Sequence, residues 1–248
     1  MPDYKLLAAG DTALVVEFGE RIDRALNRKV LALARRLEQA ANDGSLGGIV
    51  ETVPTFRSLM IYYDPLALPA AQLRARVDQL MRGLRLAEQA GRTWRLPVCY
   101  SARVAPDLAD VAKRTNLSPA QVVERHSAVA YHVYMLGFLP GQAYMGDVPE
   151  ELCLPRRQTP RQKIPAGSLA IAMNMTCIFP LESPCGWHLI GRSPVRLWQG
   201  EGGGALLAPG DRVTFSPVSL REYEELRAKA ADHALKLEPL SGAVGAAA

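Results

Sequence analysis

Apolar positions recur along this chain with two different periods, and the change of texture divides it. Ala13–Phe18 (ALVVEF) predicts a strand. Asp23–Ala41 predicts a helix, because Leu26, Val30, Leu33 and Leu37 follow at steps of four, three and four and so share one face. Ile49–Val53 and Ser58–Tyr63 predict two more strands joined by a short Pro-containing turn. Pro69–Leu86 then repeats the helical spacing with Leu73, Val77, Leu80 and Leu84. The order is β-α-β-β-α, in which each amphipathic helix needs a sheet to cover. Arg95–Tyr100 (RLPVCY) either closes this unit as a sixth element or opens the next one.

Two short helices are expected next, around Asp107–Thr115 and from Ser118 to about His126. The second opens on a capping box of Ser118 and Gln121, with Pro119 at the first helical position. From Tyr131 the chain breaks into short alternating runs, YHVYML, SLAIAM, TCIF, WHLIG, VRLW and DRVTF, separated by LPG, PAG, SPCG and APGD turns. That pattern predicts a small all-β barrel or sandwich. Ser219 and Glu222 form a second capping box before a final helix to about Lys236, and the Gly/Ala-rich end after Pro239 is expected to be disordered. The organisation read from these signals is an α+β domain over residues 1–94, a β domain over 95–226, and a terminal helix with a tail over 227–248. The polar stretch Ala87–Thr93 marks the first boundary.

Composition narrows the function classes. With 248 residues, 48% of them hydrophobic and 22% charged, the chain can bury a sizeable core. The net charge of +4 arises from 29 basic and 25 acidic residues spread along the sequence, without the basic stripe of a nucleic-acid binder. No apolar run approaches the roughly 20 residues of a membrane span, and Met1–Gly10 lacks a signal-peptide pattern, so a cytoplasmic protein away from membranes is expected. Cys99, Cys153, Cys177 and Cys185 show no C-x-x-C pairing and the four histidines no ligand spacing. Free buried thiols and no metal site are therefore expected.

The densest polar cluster is LPRRQTPRQKIP, Leu154–Pro165, which sets Arg156, Arg157, Arg161 and Lys163 on a segment stiffened by three prolines. Arginine forks bind carboxylate or phosphate through paired hydrogen bonds, so a rigid loop carrying several suits an anionic substrate. Pairing with Glu150 and Glu151 at the surface is the competing reading. Gly137–Tyr144 (GFLPGQAY) either lets backbone approach a ligand or turns a hairpin. Ser183–Trp187 (SPCGW) is a similar turn whose Trp187 either floors a pocket or packs at a barrel rim. His126 is the best general acid/base candidate by its ordinary pKa, against a helix C-cap. His132 and His188 read as structural and His233 as solvated. No histidine stands in a cysteine-protease context to activate Cys185, and Gly200–Gly204 lacks the Lys-Ser/Thr of a phosphate loop.

Combined, these segments resemble one family. HSAVAYHVYMLGFLPGQAYM, PRRQTPRQKIPAGSLAIA and SPCGWHLIGRSPVRLW between His126 and Trp198 are similar throughout to the family of the 5-oxoprolinase B-subunit, allophanate hydrolase subunit 1 and KipI. The similarity extends to AGDTALVVEFG at Ala9–Gly19, the segment Val53–Leu59, LPVCY at Leu96–Tyr100 and PGDRVTFSP at Pro209–Pro217. The resemblance implies an α/β sandwich-like N-terminal domain followed by a cyclophilin-like β-barrel. It implies a carboxyltransferase-like second subunit and, in the 5-oxoprolinase version, a third subunit that together hydrolyse the cyclic amide of 5-oxo-L-proline with ATP as co-substrate. The alternatives it carries are KipI-like inhibition of a histidine kinase and a urea/allophanate amidolyase subunit. Carried over by position, His126 would move a proton. Arg156, Arg157, Arg161, Tyr144, Ser183, Trp187 and Arg192 would bind substrate, with Tyr131, Phe138, Pro140 and Gly141 beside them. The chain departs from the family pattern at Gln142 (Phe), Met145 (Leu), Met173 (Gly), Met175 (Gln), Cys177 (Gly) and Cys185 (Gly). Added volume at former glycines near a pocket implies altered activity.

Overall fold

In the computed structural model, which describes residues 3–84, 91–200 and 202–240, the first helix begins where the Asp23 carboxylate accepts hydrogen bonds from the N–H groups of Ala25 and Leu26 at 2.7 and 3.0 Å. These amides have no partner inside the helix, and an acidic N-cap satisfies them. Helix α1 (Arg24–Asn42) buries Val30, Leu33 and Leu37, the stripe expected from the spacing. It also buries Asn27, whose amide donates to the carbonyls of Thr55 and Phe56 at 3.0 and 3.2 Å and ties down the turn between two strands. The sheet beneath is antiparallel, in the order β1 (Lys5–Ala8), β2 (Ala13–Glu17), β4 (Ser58–Tyr63), β3 (Ile49–Pro54). Val16, Leu59 and Ile61 meet Leu33, Leu37 and, from helix α2 (Ala70–Arg82), Leu73 and Val77 in one core. Strand β1 is an addition to the expected order; its mostly exposed residues carry little alternation to reveal it.

This layer is one compact unit, residues 1–89, and residues 90–248 form a second. Most of the expected boundary segment, 87–90 of 87–93, lies outside the described residues, as do 85–86 at the end of the second predicted helix and 241–248 of the tail. Strand β5 (Thr93–Cys99) belongs to the second unit. It runs parallel to β13 (Arg212–Val218), from Thr93 opposite Arg212 to Cys99 opposite Val218. With β6 (Tyr131–Leu136), β7 (Ala143–Gly146), β9 (Ser168–Ala172), β10 (Met175–Ile178) and β12 (His188–Arg192) they close a seven-stranded barrel, β10-β7-β6-β13-β5-β12-β9. Closure removes sheet edges and lets inward residues such as Leu96, Val133, Met145, Leu169, Ile171, Ile190 and Val213 fill one core.

A separate two-stranded ribbon pairs β8 (Arg161–Ile164) with β11 (Ser183–Cys185). Both segments read as loop or turn from the sequence, and the ribbon lies outside the barrel, where prolines are tolerated. Val195–Trp198, expected as a strand, contributes one isolated bridge, Trp198 with Ala205, although Val195 and Leu197 are buried. The apolar pattern there marks burial rather than pairing. Helices α3 (Leu108–Thr115) and α4 (Pro119–Ser127) follow β5, and α4 opens on the Ser118/Gln121 capping box. Helix α5 (Leu220–Ala231) opens on the Ser219/Glu222 box and ends earlier than expected. Its trailing segment packs Leu235 and Leu237 on the barrel core, and the Leu240 N–H donates to Thr93 O at 2.8 Å. Among the described residues no helix is long and apolar enough to cross a membrane.

Candidate functional site

Pro155 and Pro160 keep residues 154–160 out of regular structure, and backbone contacts then fix where the loop runs. Met173 N–H donates to Leu154 O at 2.6 Å and Arg157 N–H to Gly186 O at 2.8 Å. Beyond Pro160 the chain enters β8, with Arg161 opposite Cys185. The arginines then diverge. Arg161 presents two guanidinium nitrogens to the two oxygens of Asp107, at 2.8 and 2.7 Å, and Arg157 donates to the same carboxylate at 3.0 Å. Asp107 stands at the N-cap of α3 but makes no side-chain cap; its fourth hydrogen bond comes from the Leu189 N–H of β12 at 2.7 Å. Burial pushes the Asp107 carboxyl up, but the Arg161 hydrogen bonds, the Leu189 amide and the two arginine charges outweigh it and hold the group below its ordinary value.

Glu150 and Glu151 are therefore not the partners of these arginines. Glu151 pairs with Arg125 at 2.5 Å. Arg157 and Arg161 have their charge met inside the fold, and Arg156 alone of the three is exposed, with no acidic partner among the described residues. Its charge reaches Tyr144, where it opposes the rise in phenol pKa caused first by burial and then by Cys177. Tyr144 meets Trp187 edge-on at 5.9 Å, and Trp187 meets Phe179 edge-on at 6.5 Å. Arg156, Tyr144 and Trp187 thus come together near Cys177 and Cys185, both thiols held up by burial. A raised thiol pKa makes a poor nucleophile at neutral pH.

Of the remaining expected residues, Ser183 and His126 turn inward and Arg192 does not. Ser183 is buried with no hydrogen-bond partner for its hydroxyl, while Arg192 Nε donates to Ala166 O at 2.9 Å and staples a turn. His126 sits inside the core, stacked on Phe215 at 5.0 Å and 11°. Its Nδ1 lies 2.9 Å from the Tyr100 hydroxyl and its Nε2 3.0 Å from Thr176 Oγ1, which itself donates to Ala170 O. That network assigns the hydrogen to Nε2, with Nδ1 accepting from Tyr100. Burial lowers the His126 pKa to about 3. Neither nitrogen is free for a ligand's proton, so the acid/base expectation has no support in this geometry.

The positions expected to depart from the family pattern divide in the same way. Met173 is exposed in the two-residue turn between β9 and β10, at φ +54°. Gln142, Cys177 and Cys185 are buried and clustered, with the Gln142 amide 3.8 Å from the Cys177 sulfur and its Oε1 left without a partner.

Against the outer side of the arginine loop lies a groove of about 530 Å³, lined by Asp110 and Arg114 of α3, by residues 155–159 and by His188 of β12. His188 is buried, and its Nε2 donates to Pro155 O at 2.9 Å. Asp107 and Arg114 were not legible as functional. One aspartate before a helix reads as an N-cap, and its arginine partners lie 50 and 54 positions downstream.

Residues 4–205 match the family described as carboxyltransferase domain, subdomain C and D. A 5-oxoprolinase B-subunit from Bacillus subtilis (strain 168) is 35% identical over 237 residues, covering 89% of this chain and 95% of that protein. The solved structure of TTHA0988 superposes with a TM-score of 0.74 at 36% identity over 84% of this chain, which spans 40% of that longer chain. The K. lactis urea amidolyase, at 19% identity and a TM-score of 0.78 over 95% of this chain and 16% of its own, shares the fold.

Proposed function

The chain belongs to the 5-oxoprolinase B-subunit family, and on that premise we propose that it serves as the B-type component of an ATP-dependent complex converting 5-oxo-L-proline to L-glutamate. The reaction breaks the lactam C–N bond, places a water-derived hydroxyl on the carbonyl carbon and a proton on the nitrogen, and is driven by ATP hydrolysis to ADP and phosphate. The observation that carries the reading is the near full-length match to a 5-oxoprolinase B-subunit, 35% identical over 89% of this chain and 95% of that protein. The partners are a carboxyltransferase-like second subunit and a third subunit, and the complex is cytoplasmic.

Within this reading Arg156 holds the substrate carboxylate or a phosphorylated intermediate, beside the wall made by Tyr144 and Trp187. Arg157 and Arg161 act as positioning residues, since Asp107 fixes the segment that presents Arg156. Ser183 and the Gln142–Cys177–Cys185 cluster shape the adjoining interior. The test is co-expression with the two partner subunits and measurement of glutamate released from 5-oxo-L-proline and ATP. Release is expected with all three chains and not when this one is omitted. Complete assemblies that bind this chain yet release no glutamate would overturn the reading.

A further inference from the structure

The groove outside the arginine loop carries more positive charge than the fold consumes. Its lining carries Arg114, Arg156 and Arg157 against Asp110, an excess of two positive charges, and behind it Arg161 and Arg157 share the buried Asp107. The opposition is uneven. Asp107 is buried and saturated by four hydrogen bonds, so it neutralises Arg157 and Arg161 and leaves nothing for the groove. Asp110 is exposed and reaches Arg114 only at 3.9 Å, a weak surface pair. Arg156 has no acidic partner among the described residues, and Arg157 keeps a buried Nε without a hydrogen-bond acceptor. His188 closes the inner wall; its Nε2 is committed to Pro155 O, so the Arg114 nitrogen 3.4 Å from it is not consumed by that contact. Gln158 and Thr159 add neutral hydrogen-bonding groups on the loop side.

From this we infer that the groove between α3 and the arginine loop is a binding site for a phosphate-class dianion, with Arg114 and Arg156 as its two ligand-binding guanidiniums. A planar guanidinium offers paired N–H donors matched to phosphate oxygens. Two such groups with unspent charge, on separate elements and facing one space, favour a doubly charged oxyanion over a single carboxylate. The site shares Arg156 with the reaction assigned above and rests on that reading in its phosphorylated-intermediate form, and it adds Arg114 and His188, which that reading does not use. It is tested on this chain alone, so its failure and the failure of the 5-oxoprolinase reading are separately visible.

The experiment is isothermal titration of the full chain with inorganic phosphate at low ionic strength. One saturable site is expected, weakened about tenfold or more in Arg156→Ala and in Arg114→Ala, because each removes a charge-assisted hydrogen-bonding group. Arg221→Ala, which removes an exposed arginine of α5 paired with Glu225, is expected to leave binding unchanged. Circular dichroism verifies folding of each variant, and Arg156→Gln serves as the second variant if Arg114→Ala unfolds. Acetate is expected to bind at least about tenfold more weakly than phosphate. Competition with ATP separates the sources: displacement of phosphate by ATP at lower concentration than by phosphate itself identifies a nucleotide site, and failure to displace identifies a free-phosphate site. Absence of saturable binding, equal loss in Arg221→Ala, retention in Arg156→Ala and Arg156→Gln, or equal affinity for acetate would each overturn the inference.

Discussion

Asp107 receives the Arg161 guanidinium through two parallel hydrogen bonds, 2.8 and 2.7 Å long, across 54 residues of sequence. Because the carboxylate is buried and also holds Arg157 and the Leu189 amide, it joins α3, the arginine loop and β12 at one point.

Asp107→Asn leaves two arginines facing each other without a counter-charge, and we expect a loss of about 3 kcal/mol in urea unfolding at neutral pH. Arg161→Lys keeps the charge but loses the fork, and should cost about 1 kcal/mol. The Asp107 carboxyl is depressed in the fold, so its contribution is full above the unfolded-state pKa of about 3.9 and is lost as pH falls through the lower folded value. A wild-type acid limb matching that of Asp107→Asn would contradict this.

His126 is depressed as well, but by burial, which disfavours its charged form. It stays neutral in the fold down to about pH 3, whereas the unfolded chain takes up a proton near 6.5. The unfolded state therefore binds more protons between those values, and stability falls with falling pH by up to about 1.4 kcal/mol per unit. Unfolding free energies at pH 7, 6 and 5 should show this slope in the wild type and lose it in His126→Gln. The pH profile of the assembled enzyme should contain no ionisation that the same substitution removes.

Gly167 occupies φ +82°, and a Cβ there would stand 2.3 Å from Ser193 O. The backbone cannot yield without breaking the Ser193 N–H to Gly167 O bond of 2.8 Å. Gly167→Ala should cost about 2 kcal/mol or more, read as a lowered thermal midpoint.

Met173 presents the converse case. It is an exposed, non-glycine residue at φ +54° in the β9–β10 turn, so Met173→Gly should stabilise the chain by about 1 kcal/mol and leave activity unchanged. A loss of activity would return this position to the pocket.

Arg156→Lys tests the site reading directly. Arg156 is exposed and holds no internal ion pair among the described residues, so its replacement should leave the thermal midpoint within about 1 °C, in line with a surface change. Glutamate release by the assembled complex should fall about tenfold, as expected for loss of a bidentate contact, with partner binding retained. Unchanged turnover would remove Arg156 from the substrate site.

Local signals determined much of this protein. Val30, Leu33 and Leu37 of the predicted stripe lie buried on α1 with Leu26 half-buried beside them, and the Ser118/Gln121 and Ser219/Glu222 boxes open α4 and α5, because periodicity and capping are decided within a few residues. The run of short strands after Tyr131 likewise announced an all-β barrel or sandwich, which closes as a barrel, and the ordered motifs from His126 to Trp198 announced the family. What only tertiary structure decided were relations between distant positions. β5 could close one unit or open another until its parallel pairing with β13 placed it, a register written in residues more than a hundred positions apart. Arg156, Arg157 and Arg161 are equivalent as a string. Asp107 separates them, since a buried carboxylate can satisfy only the guanidiniums whose geometry reaches it, and it leaves Arg156 to the solvent side. His126 drew attention by its ordinary pKa, but that value belongs to a solvated imidazole; enclosure by Tyr100, Thr176 and Phe215 sets another, and only the fold creates that enclosure.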